Sequence, residues 1–226
     1  MRGSLRLRSG QYDRAVYDVE SHNRAVIKAL AGALEIRDAE THGHSERVVR
    51  FSLRLGRELD LGGAQLRSLK FGALLHDIGK MAVPNAILRK PTKLTDEEWV
   101  KMRQHPLLGQ RMLRGMKFLE GASVVVAQHH EKWDGSGYPF GLRREEINLN
   151  ARIFAVADAF DAMISDRVYR AGVSFEAAAT EINRCAGRHF DPMVVVAFGR
   201  ITRREWQDMH RGRPLFGQQV AHSYRD

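Results

Sequence analysis

The chain has almost no cysteine: Cys185 stands alone in 226 residues. An intramolecular disulfide is therefore excluded, and a reducing cytoplasm is the expected location. Long apolar runs are missing too. The longest candidates, such as Ala122 to Ala127, are core-sized, so no membrane span is expected. The basic lead from Met1 to Arg6 has no apolar stretch behind it and does not read as a secretory signal. Internal repeats, low-complexity tracts and persuasive alternating strands are absent, which leaves a helical reading. A formal net charge of +9, with arginines concentrated at both ends, meets no nucleic-acid motif; those ends read as solvated tails, and no nucleic-acid partner is expected.

What is present is a hydrophobic share of 43%, enough for a real core, distributed at helical spacing. Residues 11–37 read as one long helix. Val16, Val19, Asn23, Val26, Leu30 and Ala33 alternate three and four apart, a seam that fits a dimer or signalling helix as well as an amphipathic helix lying on its own domain. A second helix is expected over Val48 to Leu59, and Leu66, Leu69, Ala73 and Leu74 mark a third that closes on His76-Asp77-Ile78-Gly79-Lys80. Thr95 and Glu98 form a capping-box signature. His105-Pro106 breaks the helix behind it and is expected to hold His105 outside helical geometry. A helix from about Phe118 to Gln128 delivers His129-His130, and a Gly- and Pro-punctuated loop follows. Ala151 to Ile164 is strongly apolar yet contains Asp158 and Asp161. Ser174 to Ala186 is a further helix, and Asp191-Pro192 starts a last one expected to reach about Trp206 before a polar tail.

Several of these positions carry metal-ligand chemistry. His76 and Asp77 are adjacent, with Lys80 supplying nearby positive charge. Buried carboxylates such as Asp77 and Asp158 need a cation or strong hydrogen bonds. Glu40 and His44, four apart, can face the same way as an oxygen-plus-nitrogen pair. Taken alone, the His76-Asp77 pair is better read as a helix-end carboxylate beside an ordinary hydrogen-bonded histidine, and Glu40 or His44 singly means little.

Together, His76-Asp77-x-Gly79-Lys80 and His129-His130-Glu131-x-x-Asp134-Gly135-x-Gly137-Tyr138-Pro139 resemble the HD-GYP family, a branch of the HD superfamily of metal-dependent phosphohydrolases. The resemblance runs from about Leu34 to Phe198 and includes Glu40-x-x-x-His44-x-x-Arg47, His105-Pro106, Asp158 and His189-Phe190-Asp191-Pro192. It implies an all-α HD-domain helical bundle carrying a long N-terminal helix and a Gly-Tyr-Pro loop. The implied organisation is a basic lead and N-terminal helix over 1–33, a catalytic domain over 34–201 and a basic polar tail over 202–226.

The implied activity is phosphodiester hydrolysis of cyclic di-GMP to pGpG and onward to GMP, at a site holding two or three divalent ions, iron or manganese. The implied metal ligands are His44, His76, Asp77, His105, His129, His130 and Asp158, with Asp77 bridging and Glu40 matching the carboxylate of members with a third metal. Lys80 matches a lysine that contacts the scissile phosphate, Arg167 and Arg170 match substrate-holding basic residues, and Asp38 is a substrate-side polar contact. The loop motif (Asp134, Gly135, Gly137, Tyr138, Pro139) is expected to brace His129-His130 and to offer a surface to a diguanylate cyclase or other signalling protein, and the N-terminal helix to support a homodimer. Asp161 is expected to orient neighbours rather than bind metal, and His22, His42, His189, His210 and His222 match no ligand. Asn148 and Val168 depart from frequent prolines of the family, touching loop rigidity rather than the ligands. Competing readings are an HD-type enzyme for another cyclic dinucleotide or nucleotide, and a low-turnover module that binds the dinucleotide or a cyclase.

Overall fold

The computed structural model describes residues 23, 25–27, 29–34, 37, 43–166 and 171–212. Among them every regular element is a helix or a 3-10 turn. The described residues at 23, 25–27, 29–34 and 37 are helical (α1). Then follow α2 (His44–Glu58), α3 (Gly63–Leu75), a 3-10 turn (Ile78–Ala82), α4 (Asn85–Leu88), α5 (Asp96–Met102), α6 (His105–Met112) and α7 (Glu120–Gln128). The last elements among the described residues are α8 (Leu149–Ile164), α9 (Phe175–Arg184), α10 (Pro192–Arg200) and α11 (Arg203–His210).

The apolar α8 lies at the middle because it has little polar face to turn outward. Ile153, Phe154, Val156, Ala157 and Phe160 are all buried. Helix α2 meets it with Val48, Phe51 and Leu55, spaced three and four apart. Around Phe160 the core is aromatic: Trp206 lies 4.9 Å from it, 5.2 Å from Phe51 and 4.8 Å from Phe198, centroid to centroid. Burying each such ring contributes roughly 1.5–3 kcal/mol. A second cluster joins α3, α6 and α7 through Leu75, Ile78, Leu113 and Val126.

Several expectations change here. Helix α1 buries Ile27 and Leu34 in the second cluster, whereas Val26, on the expected seam, is exposed; Val16 and Val19 lie outside the described residues. The helix started by Asp191-Pro192 stops at Arg200. Thr202 then begins α11 with its own capping box, accepting from Glu205 N at 3.3 Å. Trp206 and Met209 on α11 are buried in the main core, so the stretch from Thr202 to His210 is part of the folded unit rather than the start of a polar tail. Pro106 starts a helix rather than ejecting its neighbour: His105 sits in the first turn of α6. Gly43 stands just before α2 with φ +78°, ending helical continuity there as its type suggests. The Thr95–Glu98 capping box is formed.

Candidate metal centre

Four separate elements end at one point. His76 and Asp77 follow α3, His105 opens α6, His129 and His130 follow α7, and His44 opens α2 opposite Asp158 of α8. The last turn of a packed helix delivers a side chain with little freedom. The same local device recurs three times. His76 Nδ1 faces the carbonyl of Ala73 at 2.9 Å, His105 Nδ1 that of Met102 at 2.8 Å, and His129 Nδ1 that of Val126 at 2.7 Å. A ring that donates from Nδ1 to the residue three before it turns Nε2 inward as a lone pair.

Those Nε2 atoms converge on Asp77. Its Oδ1 lies 3.1 Å from His105 Nε2 and 3.8 Å from His129 Nε2, and its Oδ2 2.9 Å from His76 Nε2. His105 and His129 Nε2 are 3.2 Å apart. Asp77 and these three rings are almost entirely buried. Acceptor thus faces acceptor in a dry pocket. That arrangement is repulsive alone and favourable around a cation. Possible ligand atoms fall into two groups, Asp77 with His105, His129 and His130, and His44 with His76 and Asp158, each within 4.8 Å. A ring contact of 5.3 Å between His76 and His129 joins them, and within the second group His44 and His76 lie 5.8 Å apart. The donor set of buried imidazoles and carboxylates therefore fits divalent transition metals.

The titration behaviour agrees. Burial pushes the His130 imidazole down to about 4, with His105 adding to the effect. Burial, then His130 and His76, holds His129 well below the ordinary range. Both rings are therefore neutral at pH 7, the form in which an imidazole can bind a metal. Burial alone would raise Asp77, but the neighbouring His76 and Lys80 outweigh it and hold the carboxyl well below its usual value. Asp158 is likewise lowered against its burial, chiefly by His44, 3.4 Å away. Lys80 Nζ sits 2.8 Å from Asp77 Oδ2, at the edge of the cluster.

Supporting residues are as specific as the ligands. Asp161 accepts from Arg47 Nε at 2.6 Å and meets His44 Nδ1 at 2.7 Å, fixing that imidazole as the carbonyls fix the others. Gly79 is where the 3-10 turn touches α6. A Cβ there would overlap the His105 carbonyl and sit 2.5 Å from Gly109 N. The glycine of the motif therefore lets Asp77 and His105 approach.

The Gly-Tyr-Pro loop folds back onto the cluster. Tyr138 N donates to His130 O at 3.2 Å, and the Tyr138 ring stacks on His130 at 4.7 Å. Gly137 lies so close to Glu131 and Lys132 that a Cβ would overlap their backbone. The Tyr138–Pro139 peptide is cis. Asp134 caps the turn, accepting from Ser136 N at 2.9 Å. Burial pushes the Tyr138 phenol up to about 12, so it stays protonated.

Glu131 was quoted above only as part of a motif. It is buried, and its carboxylate accepts from Phe140 N at 2.7 Å and Leu142 N at 3.1 Å, holding the far end of the loop. An acid directly after two ligands and before a glycine-rich turn was the available signal. Glu40, Asp38, Arg167 and Arg170 lie outside the described residues, as do His22, His42 and His222. His189 stacks on Phe190 at 4.3 Å, its carbonyl accepting from Trp133, and His210 lies 3.4 Å from Ser165 Oγ.

Comparison with known proteins matches residues 28–194 to the HD domain family. Over 185 residues the chain is 40% identical to a protein of Xanthomonas campestris pv. campestris (strain 8004) named cyclic di-GMP phosphodiesterase response regulator RpfG, covering 81% of this chain and 49% of that protein. Over 180 residues it is 38% identical to 3'3'-cGAMP-specific phosphodiesterase 2 of Vibrio cholerae serotype O1 (strain ATCC 39315 / El Tor Inaba N16961), covering 79% of this chain and 34% of that protein. The chain spans about half the length, or less, of such curated relatives. Among solved structures, a cyclic GMP-AMP phosphodiesterase of V. cholerae (V-cGAP3) shares the fold with a TM-score of 0.63 at 20% identity, over 84% of this chain and 53% of that one.

Proposed function

We propose that this chain, which belongs to the HD domain family, is a metal-dependent phosphodiesterase that opens cyclic di-GMP to pGpG and then cleaves pGpG to GMP. The observation that carries this reading is the buried convergence of imidazole Nε2 atoms on Asp77 with Lys80 at its edge. The names of relatives such as the Xanthomonas protein supply the substrate class.

His44, His76, Asp77, His105, His129, His130 and Asp158 would hold the metal, with Asp77 reaching more than one ligand group. Divalent ions bound there supply an activated water and neutralise phosphoryl charge. The chain contributes the rest. Water adds to phosphorus, the P–O3' bond breaks, and the ribose oxygen leaves with a proton. Lys80 offers fixed positive charge to the phosphate as negative charge builds on it. The neutral Tyr138 ring and the loop held by Glu131 cover the His130 side and exclude bulk water there.

Iron or manganese suits the nitrogen-rich donor set, and Glu40 would add a carboxylate for a third ion. Arg167, Arg170 and Asp38 are proposed substrate contacts, and the catalytic unit is proposed to work in the cytoplasm. A homodimer through α1 and a cyclase on the Gly-Tyr-Pro loop are the proposed protein contacts. The relative named as 3'3'-cGAMP-specific favours one alternative, cleavage of that mixed dinucleotide.

The test is chromatography of products from cyclic di-GMP and from 3'3'-cGAMP, run anaerobically with iron and separately with manganese. Formation of pGpG or GMP, lost at least a thousandfold in Asp77→Ala, is expected. No product from either dinucleotide with the metal fully loaded would overturn the reading.

A further inference from the structure

Beside the metal centre runs a stack that the catalytic chemistry does not use. It begins at His130, passes to Tyr138 at 4.7 Å, and continues to the Arg103 guanidinium, whose Cζ lies 5.6 Å from the Tyr138 ring centre. Arg103 lies in turn 5.8 Å from the ring of Trp99. The stack thus climbs from the half-buried His130 to an indole that is 44% exposed.

The backbone explains why this geometry is fixed. Trp99 lies on α5, Arg103 is its C-cap with its N–H on the Trp99 carbonyl at 2.9 Å, and the ligand His105 follows two residues later. Met102, between them, holds His105 Nδ1. Arg103 and Trp99 are therefore anchored to the same turn as a metal ligand. Among the described residues no hydrogen bond or ion pair engages the Arg103 guanidinium; it has only the two aromatic faces. The guanidinium of this exposed residue is thus flanked by two aromatic rings, and no protein group among the described residues takes its edge donors.

We propose that Trp99 and Arg103 form a purine subsite, Trp99 offering its face to a base of the substrate and Arg103 its paired N–H donors to the O6/N7 edge of guanine. Arg103 and Lys80 both act electrostatically on the Tyr138 phenol, which puts the Trp99–Arg103 stack and the Lys80 charge on the same side of the cluster. Base-on-indole stacking accepts any purine, whereas a bidentate arginine matches guanine and meets the amino group of adenine unfavourably. The subsite thus couples general affinity with a preference for guanine. The kinetic part of this proposal rests on the phosphodiesterase reading above; the binding part does not.

The test uses the full chain loaded with manganese. In the binding arm, tryptophan fluorescence is titrated with GMP and with ribose 5-phosphate, which has no base. Saturable quenching by GMP alone, lost in Trp99→Phe, is expected. In the kinetic arm, kcat/KM for cyclic di-GMP is compared with that for bis(p-nitrophenyl) phosphate, which has no purine. The ratio should fall at least tenfold in Trp99→Ala and Arg103→Ala, through KM rather than kcat, and should recover in Trp99→Phe but not in Arg103→Lys. Val100→Ser, at an exposed neighbour on α5, should leave it in place. Quenching that does not depend on the base, or an unchanged ratio in the alanine variants, overturns the proposal and leaves Trp99 as a protein-contact surface. Base-dependent quenching in a protein that leaves cyclic di-GMP intact would retire the phosphodiesterase reading and keep the subsite.

Discussion

Substituting Asp161 with asparagine isolates the role of a residue that lies outside both candidate ligand groups. Its carboxylate lies 2.7 Å from His44 Nδ1 and receives Arg47 Nε at 2.6 Å and a second Arg47 nitrogen at 3.0 Å, with 1% of its surface exposed. As a carboxylate it can only accept, so His44 carries its proton on Nδ1 and turns the Nε2 lone pair toward Asp158, 3.4 Å away. An amide can present its NH2 to Nδ1 instead, which would move the proton to Nε2 and remove a ligand. Losing the orienting partner of a metal-bound histidine costs about 10–100-fold in metal affinity, or about 1.4–2.7 kcal/mol. Stability should fall separately, by about 1–3 kcal/mol, because the Arg47 guanidinium loses its buried counter-charge and keeps only a hydrogen bond to a neutral amide. For a chain of this size that lowers Tm by roughly 2–12 °C. Manganese affinity measured calorimetrically at 15 °C, where the variant stays folded, separates the two effects. Ser165→Ala, which removes a 3.3 Å contact to the same carboxylate, serves as the control and should leave affinity within about threefold. Wild-type affinity in a folded but less stable Asp161→Asn protein would refute the orienting role.

Glu131→Gln replaces an acceptor of two backbone N–H groups with one that can satisfy only one of them. It should destabilise by about 1–3 kcal/mol and speed proteolysis within residues 132–142; unchanged cleavage kinetics would remove the loop-clamp role. Gly79→Ala must push the 3-10 turn off α6, at a cost of about 1–3 kcal/mol or more. Chemical denaturation that shows no loss would contradict the close contact with His105. In metal-free protein, His129 and His130 titrate below 6.5 when folded. The unfolded chain therefore binds their protons first as pH falls. Their stabilising contribution is complete above about pH 6.5 and is lost toward the His130 value of about 4, at no more than about 1.4 kcal/mol per pH unit for each group. Urea midpoints in chelator at pH 7 and pH 5 check this, and equal midpoints would defeat it.

Helices α2, α3, α7 and α8 were legible in the sequence because they are rich in apolar residues at helical spacing, and the starts of α5 and α10 because Thr95-Glu98 and Asp191-Pro192 are local signals. Local signals also misled where the decision was tertiary. Trp206 and Met209 sit in a polar, arginine-rich segment, and only the aromatic core around Phe160 gives them somewhere to be buried. Pro106 removes a backbone donor wherever it stands, but whether it ends one helix or starts the next depends on the packing of α6 against the Gly79 turn.

For the site, the sequence by itself determined the residue types and their order: the adjacent His76-Asp77 and His129-His130 pairs, the glycines beside them, and one cysteine too few for a disulfide. It left open which nitrogen of each histidine faces inward. That was decided by the carbonyls of Ala73, Met102 and Val126, each three residues back on a helix end, and by Asp161 across 117 residues from His44. The assignments of Glu131 as a loop clamp and of Arg103 as a stacked cation were also tertiary. Both depend on distances between segments that no local pattern encodes, because hydrogen bonding and ring stacking are fixed only once the helices that carry the residues have packed.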